Sequence, residues 1–140
     1  ADLSEGTLET AIINTHKMKD DRGIFIGASP VSLHVAPDGQ FDADRILASP
    51  GRPNTDLNDI NAVRNLGLVP NGYYVNRRFT DADAWFLRND CPNGTKMFMR
   101  APLATKMEPD FDTGNLRFKA RERYSFGWSD WRQWRGNKGV

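Results

Sequence analysis

Hydrophobic positions in the first fifty residues follow the spacing of two amphipathic helices. Near residues 8–18, apolar or small side chains recur at intervals of three and four, the periodicity of one helix face. The positions are Leu8, Ala11, Ile12, Thr15 and His16. Ser4 or Thr7 can serve as the N-cap, and the DDRG turn at residues 20–23 ends this helix. A second helix is predicted from Pro37 through Ala48, because proline and aspartate favour a helix start.

Short β-rich segments bounded by turn residues predict a series of strands. We place strands at IFIG (24–27), VSLHVAP (31–37), AVRNLGLV (62–69), YYVNRRF (73–79), TDADAWFLRND (80–90, after a turn) and KMFMRAPL (96–103). Residues 49–61 form a loop rich in proline, asparagine and aspartate, which is long for a compact domain. We interpret this loop as an exposed functional or interfacial segment, with Asn54, Asp56 and Asn58 as candidate contact residues.

The longest alternating pattern lies at NLRFKARERYSFGW and predicts a strand over residues 116–128. One face carries Leu116, Phe118, Ala120, Tyr124, Phe126 and Trp128, and the other carries Arg117, Lys119, Arg121 and Arg123. Glu122 is the only polar residue on the apolar face, so we expect it to pair with a cation of a neighbouring element. An apolar strand face needs a covering element. The helix near residues 8–18 is too short for this, which indicates that part of the fold is missing.

Charge is spread unevenly along the 140-residue chain, although its formal net charge is only +1. Residues 116–140 contain seven basic and two acidic side chains, a net +5, whereas the first 115 residues carry −4. This asymmetry favours an acidic partner of the C-terminal part, either nucleic acid or a negatively charged protein surface. The single cysteine excludes an internal disulfide and a multi-cysteine metal site. Because the chain begins at Ala1 and carries no membrane-spanning stretch, we expect a processed or split gene product made in the cytoplasm.

The residues that most often carry catalysis are arranged without a recognisable catalytic or metal-binding pattern. His16 and His34 lack a ligand-type neighbour at metal-binding spacing, and Cys91 lies in a Pro-Asn-Gly turn. Asp81 and Asp83 fit an aspartate-rich turn that caps its own backbone better than a cation site. We therefore predict no enzyme activity, no cofactor and no metal.

Two interpretations of the basic strand remain open at this level. Single-stranded nucleic acid binds where bases stack on aromatic rings beside cations on one surface. Here rings and cations alternate, which places them on opposite faces and favours a core-facing apolar side with a subunit-facing basic side. A small nucleic-acid-binding module using this strand is the alternative function, and a hydrolase with an unrecognised site is a third.

Five segments, taken in order, resemble the C-terminal portion of tailed-bacteriophage major capsid proteins of the Hong Kong 97 type. They are LHVAPDGQFDADRILAS, NDINAVRNLGLV, FTDADAWFLRND, MFMRAPL and FKARERYSFGWSDWRQWRG. The resemblance covers nearly the whole chain. It implies an α+β fold: a mixed sheet flanked by two helices, the axial domain at residues 1–104, and a long C-terminal strand pair of the peripheral domain at residues 105–140.

The same resemblance implies a role and a set of partners. The chain would be a fragment of a structural protein that self-assembles into an icosahedral shell around double-stranded DNA, in the virion and earlier in the host cytoplasm. The family's N-terminal arm, extended hairpin (E-loop) and spine helix are absent from these 140 residues, so a separate chain would supply them. The expected intersubunit contacts are Asn54, Asp56, Asn58, Arg117, Arg121, Glu122, Arg123, Trp128, Trp131 and Trp134.

Overall fold

A computed structural model describes residues 2–52 and 59–137. The chain divides into two compact units. The first, here called the sheet unit, comprises the residues up to Pro92 together with those from Trp131 onward. The second, here called the ribbon, comprises Asn93–Asp130.

Within its described residues, the sheet unit contains three α-helices: α1 (Glu5–His16), α2 (Gln40–Ala48) and the short α3 (Ala62–Asn65). Helix α1 begins with a capping box, in which the Thr7 backbone N–H donates to Ser4 Oγ at 3.3 Å and the Ser4 N–H donates to Thr7 Oγ1 at 2.9 Å. These bonds satisfy backbone donors that a helix start otherwise leaves unpaired. The first helix and its capping residues are therefore as the sequence predicted.

The described part of the sheet unit contains the strands β1 (Pro30–Val35), β2 (Tyr73–Val75), β3 (Trp85–Asn89) and β6 (Trp134–Asn137). They form a mixed four-stranded sheet with the order β2-β1-β3-β6. Strand β1 pairs parallel with β2 and antiparallel with β3, and β3 pairs antiparallel with β6. A short 3₁₀ helix (Trp131–Gln133) leads into β6. The C-terminal segment is thus tied to the sheet by strand pairing, and the predicted mixed sheet with flanking helices is confirmed.

The hydrophobic core lies between this sheet and the helices. Register pairs place Leu33 beside Leu87 and Val35 beside Trp85 on the helix-facing side of the sheet. The buried cluster consists of Leu8, Ala11, Ile12, Leu33, Val35, Ala43, Ile46, Val63, Val69, Trp85 and Leu87. All of these residues belong to the sheet unit.

The ribbon is a two-stranded antiparallel hairpin of β4 (Thr95–Pro109) and β5 (Leu116–Trp128). Its turn is organised by Asp110, whose N–H donates to the Asn115 carbonyl at 2.8 Å and whose carboxylate accepts from Thr113 Oγ1 at 2.7 Å. Gly114 adopts a φ of 68° there, a conformation that favours glycine. The predicted strand at 116–128 is confirmed residue for residue. Its partner β4 contains the KMFMRAPL segment, which the sequence analysis places in the axial domain. The sequence-based domain boundary after residue 104 lies inside β4.

Two strand predictions are wrong. AVRNLGLV forms α3 and a turn, because Asn61 caps a helix start by accepting from the Arg64 N–H at 3.2 Å and Gly67 has a φ of 60° just after the helix. IFIG forms only an isolated bridge between Lys19 and Phe25, and its apolar side chains are exposed. YYVNRRF is a strand only over Tyr73–Val75.

Candidate functional site

The residues considered for catalysis are dispersed or structurally occupied. No group of three or more His, Cys, Asp or Glu side chains that could hold a metal ion occurs in residues 2–52 and 59–137. Asp81 Oδ1 accepts from the Asp83 backbone N–H at 3.1 Å, so this turn caps itself as predicted. Cys91 is buried.

Within the described residues, no helix is long and apolar enough to span a membrane.

One side of the ribbon is an apolar surface that nothing in the ribbon covers. Antiparallel partners share a face, and the register pairs Met97 with Phe126, Met99 with Tyr124 and Met107 with Phe118. We call this surface the ribbon apolar face; its members are Met97, Met99, Met107, Leu116, Phe118, Ala120, Tyr124, Phe126 and Trp128. The aromatic side chains are largely exposed, up to 72% for Phe126 and 71% for Trp128. Exposed apolar surfaces of this kind mark interaction sites.

Two β-bulges keep the methionines on this face. The register shifts between Met99 and Ala101, and again between Ala101 and Ala104, so that Pro102 and Leu103 lie opposite Glu122 alone. Pro102 has no N–H to donate to a ladder, which suits a bulge. Each bulge adds one residue to β4, and together they restore the alternation. The sequence predicts only the β5 half of this face. The predicted strand KMFMRAPL ends at Leu103, before Met107, and its pairing with β5 has no local signal in the sequence.

The opposite side carries the cations and is here called the ribbon basic face. The cross-strand pairs on this face are Glu108 with Arg117, Lys106 with Lys119, Ala104 with Arg121, and Ala101 with Arg123. Arg117 is engaged within the hairpin, since its Nη2 donates to Asp110 Oδ2 at 2.7 Å. Lys106 forms an ion pair with Glu108. Across the fully described ribbon, Lys119, Arg121 and Arg123 remain exposed and form no ion pair.

Glu122 does not have the partner that the sequence suggested, as far as residues 2–52 and 59–137 show. It is exposed on β5 opposite the second bulge. Because no cation of the described chain lies within ion-pair distance of its carboxylate, any pairing of Glu122 stays a prediction about a neighbouring molecule.

The three C-terminal tryptophans lie in different environments. Trp128 ends the ribbon apolar face, and Trp131 is 62% exposed with the Arg132 guanidinium 5.1 Å from its ring centre. Trp134 is half-buried on β6, with its ring 5.0 Å from that of His34 in an edge-on contact. Arg132 donates to the Lys19 carbonyl at 3.2 Å and to Asp21 Oδ1 at 2.6 Å. The sheet unit itself therefore holds Trp134, and no covering element contacts Trp128 within the ribbon.

The sheet face away from the helices carries an aromatic cluster that the sequence analysis did not identify. His34 stacks on Tyr74 at 5.3 Å between ring centres, and Phe86 meets Phe79 edge-on at 5.2 Å. Partial burial, reinforced by the positive charge of Arg88, lowers the pKa of His34 below its ordinary value. Alternation within β1 and β3 was the available signal, because it places His34 and Phe86 on the side opposite Leu33 and Leu87.

Four aspartates are among the residues that line a small cavity in the sheet unit. The cavity has a volume of about 110 Å³ and is bordered by Asp2, Asp38, Asp42 and Asp83. Asp42 forms an exposed ion pair with Arg45 at 3.0 Å. No other of these four carboxylates is ion-paired in the described part of the chain. We call this feature the acidic pocket.

The predicted contact loop is only partly described. Its ends are held together by a bridge between Gly51 and Ile60 and by the Arg52 N–H, which donates to the Asp59 carbonyl at 2.8 Å. Asn61 is buried and donates through Nδ2 to the Ile46 and Ser49 carbonyls. Asn54, Asp56 and Asn58 lie outside the described residues.

The chain therefore consists of a sheet unit with a hydrophobic core and a ribbon whose apolar and basic residues are largely exposed. A family model described as phage capsid protein matches residues 2–136. The chain belongs to the phage capsid protein family. It is accordingly a structural protein of the virion, and the family implies assembly with other capsid subunits. No curated protein and no solved structure matches the chain.

Proposed function

We propose that the chain is part of a Hong Kong 97-type major capsid protein, which self-assembles into a closed icosahedral shell around double-stranded DNA. The observation that carries this proposal is the ribbon, a long hairpin with no buried hydrophobic side chain. An isolated two-stranded hairpin is at best marginally stable in water. In a capsid protein, the surfaces that complete such a hairpin are other parts of the shell. The role is structural, without a catalytic step.

The occupant proposed for the ribbon apolar face is the spine helix of the capsid subunit. Strand β5 has 13 residues and is therefore about 43 Å long at roughly 3.3 Å per residue. A helix lying along that length needs about 29 residues at roughly 1.5 Å per residue, whereas α1 has 12. The covering helix would come from a segment outside these 140 residues, together with the N-terminal arm and the E-loop.

The sheet unit corresponds, in this proposal, to most of the axial domain, and the ribbon to the strands of the peripheral domain. Loop residues 54–61 would meet neighbouring subunits near a symmetry axis, and assembly would occur in the host cytoplasm. Deleting residues 55–57 should then impair particle formation while leaving the circular dichroism spectrum intact, because the bridge between Gly51 and Ile60 closes the base of the loop. Normal particles from the deletion variant would contradict this placement.

The nucleic-acid-binding module gains no support from the ribbon. Phe118, Tyr124, Phe126 and Trp128 lie on the face opposite the cations, and of the rings on the two strands only Phe98 shares the basic face. A single-strand platform instead places several rings and cations on one surface. We therefore do not propose that function.

Gradient fractionation of material from the producing host tests the proposal. Peptides of this chain should co-migrate with icosahedral particles in negative-stain micrographs, together with nuclease-resistant double-stranded DNA. Recovery of the chain only as a small free protein, in material that contains particles, would refute a shell role.

A further inference from the structure

We propose that the ribbon basic face of one copy docks against the acidic pocket of a neighbouring copy of the same chain. This inference rests on the proposed function, because it requires that copies assemble. It adds a specific partner for Lys119, Arg121 and Arg123 and a specific place for that partner.

Three cations on one face of the ribbon are exposed and have no ion-pair partner within the ribbon. Lys119, Arg121 and Arg123 project from alternate positions of β5 on one face, so their stems are spaced about 7 Å apart. Arg121 and Arg123 have alanines as register partners, which leaves their guanidinium groups without a side chain opposite. Lys119 lies directly opposite Lys106, and although Lys106 pairs with Glu108, like charges in that position disfavour the isolated hairpin. An anion placed over this face would offset that repulsion.

The acidic pocket has the complementary chemistry. Four aspartates are among its lining residues, and the cation paired with Asp42 is a 71% exposed Arg45, whose contact is weak in water. A guanidinium donates two parallel hydrogen bonds to a carboxylate, which gives the contact direction as well as attraction. An arginine therefore makes a more directional contact with an aspartate of this pocket than a lysine would.

Because every copy carries both surfaces, the contact is heterologous, with the ribbon of one copy meeting the pocket of the next. Heterologous contacts close into rings when the rotation between copies is right, which is how a shell builds its symmetry axes. A DNA-facing role for the same cations would need only a diffuse positive charge, with no matching pocket.

Charge reversal in the capsid protein, expressed as it is naturally produced, tests the pairing. The ribbon variant combines Arg121→Glu with Arg123→Glu, the pocket variant combines Asp38→Arg with Asp83→Arg, and the swap variant carries all four changes. The first two should each lower particle yield by about tenfold or more, and the swap should recover most of that loss. Arg78→Glu, at an exposed arginine of the sheet unit, is the matched control and should assemble normally. Circular dichroism of each unassembled variant confirms that it folds.

A second, milder pair of variants keeps the proposal testable if the reversals misfold. Arg121→Lys with Arg123→Lys preserves the charge but removes the forked geometry, so particle yield or particle melting temperature should fall. Wild-type yield from the ribbon and pocket variants, or failure of the swap to recover yield, would overturn the proposal. So would normal particles from the ribbon variant that retain less DNA, because that result assigns the face to DNA. If the wild type itself forms no particles, the proposed function fails first, and the two failures are thereby distinguished.

Discussion

The ring of Phe86 on β3 lies against the backbone of Gly136, its register partner on β6. A Cβ at position 136 would meet the ring carbons far inside normal van der Waals contact. Glycine is thus required here by a close approach rather than by its backbone freedom. This contact helps to fix the C-terminal strand at the edge of the sheet.

Gly136→Ala should therefore destabilise the sheet unit by about 1–3 kcal/mol, because the Phe86 ring must leave its position. The expected readouts are a lower midpoint in chemical denaturation and a change in tryptophan fluorescence from the neighbouring Trp134. Gly6→Ala is the matched control, since position 6 lies in α1 and a Cβ added there would meet open space. It should be neutral or stabilising by up to about 1 kcal/mol. Equal effects of the two substitutions would contradict this explanation.

Asn61 connects two helices through its side chain. It caps α3 with Oδ1 and donates through Nδ2 to carbonyls at the end of α2, all in a buried position. Asn61→Ala should cost about 2 kcal/mol, because buried carbonyls and a helix start lose their partners. Urea denaturation measures this, and Asn65→Ala, at an exposed position of the same helix, should change the midpoint much less. A midpoint for Asn61→Ala within error of wild type would show that water replaces these bonds without cost.

These cases show where local sequence signals were sufficient. Ser4 and Thr7 act within one turn of helix, and Leu116 to Trp128 alternate with Glu122 as the only polar residue on the apolar face, so both elements were predictable. AVRNLGLV was misassigned because its apolar run resembles a strand, while the cap from Asn61 and the turn at Gly67 decide the structure. The acidic pocket combines segments that are far apart in the sequence, so no local sequence pattern predicts it.

Stability of the sheet unit should depend on the protonation of His34. Its folded-state pKa is lowered by burial and by Arg88, so the folded protein binds this proton more weakly than the unfolded chain does. The stability that depends on neutral His34 is fully present above the unfolded-state pKa near 6.5, and it is lost as pH falls from there towards the lower folded-state pKa. Melting temperatures from pH 8 to about pH 5 should fall more steeply for wild type than for His34→Phe, which keeps a ring against Tyr74. Parallel curves for the two proteins would remove His34 as the cause.

The purified 140-residue chain should self-associate, because the ribbon apolar face has no cover within the ribbon. Size-exclusion chromatography should show oligomers or aggregates at micromolar concentration. Replacing Phe118 and Phe126 with threonine, which retains strand propensity, should shift the chain towards monomer while preventing particle formation. Arg78→Thr serves as a control for an exposed change in the sheet unit. A sharp monomeric peak from the wild type, with a high-temperature cooperative melt, would contradict an uncovered interface.

The most direct test of a shell-building role is a cryo-electron microscopy reconstruction of the particle that contains this chain. We expect a closed shell in which a long helix from outside these residues lies along Leu116, Phe118 and Phe126. A shell in which this face of the ribbon borders only solvent would contradict the proposed role of the ribbon.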